Sequence, residues 1–262
     1  MSAEGPEKIV FVGGAPRSGT TVTHALICTS TRVNSYTAEL SYFRAVPDSY
    51  RLGRVAWERH TSSFFESEEA FRVHTREVAD LRLRPIWEKL GRPEILALKD
   101  PHLTPYFPEL AEIYPIEARF LTVVRHPYDV VRSRQEVQQR LSQPFLAGHA
   151  QAVAEEYVNY YEAALSSDFG HRHFAFRYEA LNKPDLQARI AKFIGVDDLH
   201  ARPMWGRDPV AQDDPWHSPK YTQPINLEAR LGPLDEDLKA VVRSVCGPLM
   251  QRMGYADMDF AA

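Results

Sequence analysis

Residues 8–29 of this 262-residue chain run Lys8-Ile9-Val10-Phe11-Val12-Gly13-Gly14-Ala15-Pro16-Arg17-Ser18-Gly19-Thr20-Thr21-Val22-Thr23-His24-Ala25-Leu26-Ile27-Cys28-Thr29. They read as a short buried strand, a tight loop and the start of a helix. Residues 9–12 are a β-branched and aromatic run suited to the middle of a parallel sheet. The glycines at 13, 14 and 19 allow backbone paths that a Cβ would forbid, and Pro16 stiffens the turn between them. The loop opens into a helix whose first amides lack intrahelical partners, with the hydroxyls of Ser18, Thr20 and Thr21 beside them. That order builds an anion cradle.

The stretch from Gly14 to Thr21 has the glycine spacing of the phosphate-binding pattern G-x-x-x-x-G-K-[ST], with Thr20 at the lysine position. A nucleotide kinase sets that lysine on the β- and γ-phosphates. Here the cation of the loop is Arg17, three residues earlier, which suits a different anion. Pro16-Arg17-Ser18-Gly19-Thr20-Thr21 after a strand resembles the 5′-phosphosulfate loop of the sulfotransferases that use 3′-phosphoadenosine-5′-phosphosulfate (PAPS).

Two further stretches carry the resemblance. Val124-Arg125-His126-Pro127-Tyr128-Asp129-Val130-Val131-Arg132-Ser133 is similar to the family's 3′-phosphate motif, an arginine and a serine eight residues apart. A guanidinium is a planar, multi-donor clamp for a phosphate, and a hydroxyl adds a donor without charge. Arg177-Tyr178-Glu179, after a short strand, is similar to the segment in which the family's tyrosine approaches the adenine. Tyr178 inherits that role, and Glu179 is expected to brace the fold. The three matches lie in the family's order.

Composition bounds the rest. At 262 residues and 44% hydrophobic content the chain can fill a sizeable core, and one α/β domain is expected over residues 1–262. With 31 basic against 35 acidic side chains the net charge is −4, which argues against a general binder of nucleic acid or anionic membrane. Cys28 and Cys246 form neither a metal pattern nor a disulfide framework. The acidic amino terminus has no signal-peptide run, and no stretch approaches the roughly 18 apolar residues of a membrane span. A cytoplasmic enzyme is the expectation.

In chain order, residues 32–37 read as a short second strand whose far end delivers Glu39. Strand ends edge the ligand crevice of an open α/β sheet, although an acid at a helix start is an equal reading. Residues 41–92, aromatic and charged, are expected to be helical and to cover the acceptor side, with one helix over about 77–90. A strand at 94–98 runs into Lys99-Asp100-Pro101-His102. Helices are expected near 108–114, 128–141, 150–165 and 234–253, and strands at 120–124 and 173–177. The proline-rich run 202–226 reads as a long loop; the resemblance implies closure over the nucleotide and makes Ser218 and Lys220 candidates.

The resemblance implies a mostly parallel sheet flanked by helices in a P-loop-like fold. It also implies transfer of a sulfuryl group from PAPS to a hydroxyl or amine, leaving adenosine 3′,5′-bisphosphate (PAP), without a required metal. Pro16, Arg17, Ser18, Gly19, Thr20, Thr21, Arg125, Ser133 and Tyr178 then bind the nucleotide, and Arg17 and Lys99 oppose the charge on the leaving phosphate. Arg17, Glu39 and Lys99-Asp100-Pro101 resemble the pattern of tyrosylprotein sulfotransferases and related bacterial and carbohydrate enzymes, with Glu39 as base one place off the ungapped spacing. His102 competes for that role, because small-molecule sulfotransferases place a histidine shortly after the corresponding lysine. The acceptor stays open among small molecules, carbohydrates and tyrosyl peptides. A small-molecule P-loop kinase and a non-catalytic nucleotide-binding relative are the alternatives.

Overall fold

β1 (Lys8–Gly13) lies inside a four-stranded sheet, paired on one side with β2 (Ile95–Lys99) and on the other with β3 (Ala118–Val124). β4 (His173–Arg177) pairs with β3, every pairing is parallel, and the order is β2-β1-β3-β4. These features come from a computed structural model, which describes residues 5–204, 225, 227 and 234–255. Parallel neighbours need crossover connections, and helices supply them here.

Alternation along β1 divides the core. Ile9 and Phe11 join Leu96, Leu98 and Phe120 on one face. That face is covered by α2 (Ala45–Val55), α3 (Glu68–Lys89) and α4 (Phe107–Ile113), which contribute Tyr50, Leu83, Trp87, Phe107 and Leu110. Phe11 and Phe120 stack with centroids 5.8 Å apart, a pair contributing about 0.5–1.5 kcal/mol beyond its buried area. Val10 and Val12 face the other way, under α1 (Thr20–Ile27) and α7 (Pro184–Ile194). A third cluster joins α5 (Pro127–Arg140), α6 (Ala147–Ser166) and α8 (Glu236–Arg252) around the end of β3.

The strand expected at residues 32–37 is reduced to one bridge, between Val33 and Ile95. The physical reason is Asn34, whose side-chain oxygen accepts from the Ala97 N–H (2.6 Å) while its Nδ2 donates to the Ala97 carbonyl (3.1 Å). A side-chain amide thus takes the peptide groups that a longer ladder would use. The helix expected from residue 77 begins at Glu68, where the Ser67 hydroxyl accepts from the Ala70 N–H and two acids fill the first turn. At the other end of the 30s segment, Arg202 donates through Nη2 to the carbonyls of Cys28 (2.9 Å), Ser30 and Val33 (2.7 Å), satisfying acceptors past the end of α1. Ser218 and Lys220 lie outside the described residues, as does most of the loop expected at 202–226.

Candidate active site

The loop after β1 bends through three left-handed residues, Gly14 (φ 137°), Arg17 (φ 74°) and Gly19 (φ 101°). A Cβ at Gly14 would stand 2.4 Å from the Val123 carbonyl, and one at Gly19 would stand 2.2 Å from the Tyr178 ring. The positive φ of Arg17 costs on the order of 1–3 kcal/mol. Two bonds to the segment that follows the neighbouring strand β3 hold it: Arg125 Nη1 donates to the Arg17 carbonyl (3.1 Å) and Arg17 Nε donates to Ser133 Oγ (3.0 Å). The Gly14 N–H is anchored on Thr104 Oγ1 at 2.8 Å.

The first described backbone bond of α1 runs from the Thr23 N–H to the Gly19 carbonyl (3.1 Å). The amides of residues 19–22 therefore have no backbone acceptor among the described residues, and they form the positive end of the helix. Ser18 departs from expectation. Its side chain is buried, and both its amide (3.0 Å) and its hydroxyl (2.6 Å) donate to the Ala15 carbonyl. The hydroxyl braces the loop from within instead of facing outward.

Lys99 ends β2 in register with Val12. It is 3% exposed, and its ammonium donates to Glu39 Oε1 (2.8 Å) and Thr21 Oγ1 (3.2 Å). A lysine this buried needs such partners, and an ammonium with three donors keeps a third for a ligand. Glu39 arrives without a strand: the Leu40 N–H donates to the Lys99 carbonyl (3.2 Å) and pins the segment against the end of β2. Its side chain is 43% exposed.

His102 stands in the short 3-10 turn that follows β2, its amide donating to Asp100 Oδ1 (2.9 Å) and its Nδ1 hydrogen-bonded to the Tyr160 hydroxyl. Burial pushes the Asp100 carboxyl up, and its Oδ2 has no hydrogen-bond partner among the described residues. At the end of β3, Arg125 lies over the Tyr178 ring, 4.6 Å from its centroid, with Nε 3.7 Å from Asp129. Glu179 accepts from the His126 N–H (3.0 Å) and the Tyr255 hydroxyl (2.9 Å), the contacts of a brace.

Contacts thus join Arg17, Gly19, Arg125, Ser133 and Tyr178 in one group, and Thr21, Lys99 and Glu39 in a second. The sequence reading sets Arg17 and Arg125 at opposite ends of a bisphosphate; the fold brings them within one hydrogen bond of each other. Two contributors were missed. Thr104 lies 90 residues from the glycine it anchors, and Tyr160 sits on the helix expected at 150–165, to which no site role was assigned. Among the described residues no helix is long and apolar enough to cross a membrane.

A family model described as the sulfotransferase family matches residues 9–199. A comparison with curated proteins finds no match. Among solved structures, a sulfotransferase from Alicyclobacillus acidocaldarius is similar at 14% identity and a TM-score of 0.56, over 97% of each chain. The sulfotransferase domain from the Synechococcus PCC 7002 olefin synthase is similar at 16% identity and a TM-score of 0.52, over 93% of this chain and 96% of its own. At these identities the two structures speak for the fold.

Proposed function

This chain belongs to the sulfotransferase family, and on that premise we propose that it moves a sulfuryl group from PAPS to a hydroxyl or amine acceptor, leaving PAP. The observation that carries the proposal is the pair of bonds joining the two nucleotide motifs, Arg125 to the Arg17 carbonyl and Arg17 to Ser133. They make one cationic surface next to the open amides of α1. The Tyr178 ring, packed on Gly19 and under Arg125, offers an adenine a flat neighbour.

In the proposed reaction the acceptor oxygen forms its bond to sulfur as the bond from sulfur to the 5′-phosphate oxygen breaks. Positioning and charge stabilisation do most of the work in such in-line transfers. Lys99 and the amides of residues 19–22 take up the charge on the departing phosphate; losing one such donor commonly costs about 2.7–4 kcal/mol of barrier. Glu39, held 2.8 Å from Lys99, receives the acceptor proton on its open edge. Two buried thiols, Cys28 and Cys246, fit the reducing cytoplasm as the place of action.

The test starts with the nucleotide. Calorimetric titration of an Arg125→Ala variant should show PAP weakened much more than its 3′-dephospho analogue, and equal losses would reject the phosphate clamp. Incubation with labelled PAPS and an acceptor panel, read by mass spectrometry, then looks for the sulfate adduct. Stabilisation by ATP with Mg²⁺ in place of PAP would favour a kinase, and tight PAP binding with no adduct a non-catalytic relative.

A further inference from the structure

His102 and Tyr160 form a pair that the reaction outlined above leaves unused. His102 follows Lys99 by three residues and its ring is half-buried. Tyr160 reaches it from α6, with ring centroids 5.9 Å apart at 65° and the hydroxyl on Nδ1. The phenol is 5% exposed. The charged groups facing it are Glu156 on its own helix, Asp100 at the end of β2, Arg44 before α2 and Arg134 on α5. Burial raises the phenol above its ordinary range, so it keeps its proton at neutral pH.

A protonated phenol has one hydrogen to give, and His102 Nδ1 is the hydrogen-bond partner of the Tyr160 hydroxyl among the described residues. An imidazole that accepts at Nδ1 carries its own proton on Nε2. The Nε2 edge has no hydrogen-bond acceptor among the described residues. A neutral imidazole in that form offers a donor there and no lone pair.

We propose that Tyr160 holds His102 as the Nε2–H tautomer, so that His102 serves as a hydrogen-bond donor to an oxygen of the acceptor or of the sulfuryl group and does not take the acceptor's proton. The proposal rests on the sulfotransferase reading above and deepens it. The proton leaves with Glu39, and Tyr160 is a positioning residue acting through the ring it orients.

The tautomer is read directly from long-range ¹⁵N–¹H correlation spectra of histidine-labelled protein, His102 being assigned by the signal lost in His102→Gln. The expected spectrum has Nε2 protonated and Nδ1 accepting, and Tyr160→Phe should mix the two forms. A protonated Nδ1 in the wild type, or a spectrum unmoved by Tyr160→Phe, overturns the proposal. Kinetics supply a second arm, because a glutamine amide can present an N–H near the Nε2 position but cannot act as a base. His102→Gln should keep kcat within about tenfold of wild type, while His102→Ala loses about 10²–10³. Equal losses in the two variants would make His102 the base and overturn the proposal, as would wild-type kcat in both. PAP affinity unchanged in each variant shows that the fold is intact. A wild type that binds PAP and sulfates no acceptor brings down the sulfotransferase reading and the role of His102 with it, whereas the spectrum still decides what Tyr160 does to the ring.

Discussion

In the proposed reaction Glu39 takes the acceptor proton, and its setting defines what a substitution should do. The Lys99 ammonium is buried and donates to Glu39 and Thr21. Glu39→Gln keeps an oxygen for that ammonium, so the lysine stays in place and the loop residues proposed to bind the nucleotide are untouched. What disappears is the carboxylate's capacity to take a proton, typically a factor of about 10²–10⁴. PAP affinity by calorimetry should therefore stay near wild type while transfer from PAPS falls by that factor. Near-normal turnover would return the base role to His102.

At the scale of elements, the edge of the sheet depends on a side chain. Asn34 is 2% exposed and satisfies both peptide groups of Ala97, and His24 Nε2 reaches the same carbonyl at 3.1 Å. Asn34→Ala leaves the Ala97 N–H buried without its acceptor, which should cost about 1–3 kcal/mol of stability. Urea unfolding measures it, and a loss below a few tenths would show that the edge is held otherwise. This contact also marks the limit of what was legible in the sequence. The strand at 173–177 was readable to the residue and the other three to within a residue or two, because each is a local apolar run with a turn signal at its end. Arg17, Arg125 and Ser133 were legible as motif positions, because their spacing within one loop, or from a strand end into the next helix, is local too. Asn34 reads as a polar interruption until its partner 63 residues away is known. The bond from Arg17 to Ser133 spans 116 residues, and the Tyr160 hydroxyl meets a histidine 58 residues earlier. Local pattern carries no register between distant segments. Ser67 was an available signal: a serine before two acids marks a helix start, and it lies ten residues before the boundary that apolar periodicity suggested.

Over the whole molecule, two histidines couple stability to pH. His24, fully buried on α1, is lowered to about 3, chiefly by burial and then by the positive charge of Lys99. Burial lowers His173 to about 4. Both values lie below the ordinary 6.5, so between about pH 4 and 6.5 the unfolded chain binds more protons than the folded one. Stability then rises with pH across that window and falls as the solution is acidified from 6.5. For His24 alone the loss is about 2 kcal/mol by pH 5, with His173 acting in the same direction. Asp100, whose carboxyl is pushed up by burial, opposes the trend closer to pH 4, so the comparison belongs between pH 7 and 5. Urea midpoints at those two values, with the slope of unfolding free energy against urea unchanged, should show the drop. A His24→Gln variant, whose amide can still donate to the Ala97 carbonyl, should lose the larger part of it. A wild-type midpoint that stays level from pH 7 to 5 would mean that His24 is hydrated or charged in the folded protein, and that the ground beneath Lys99 is wetter than its contacts indicate.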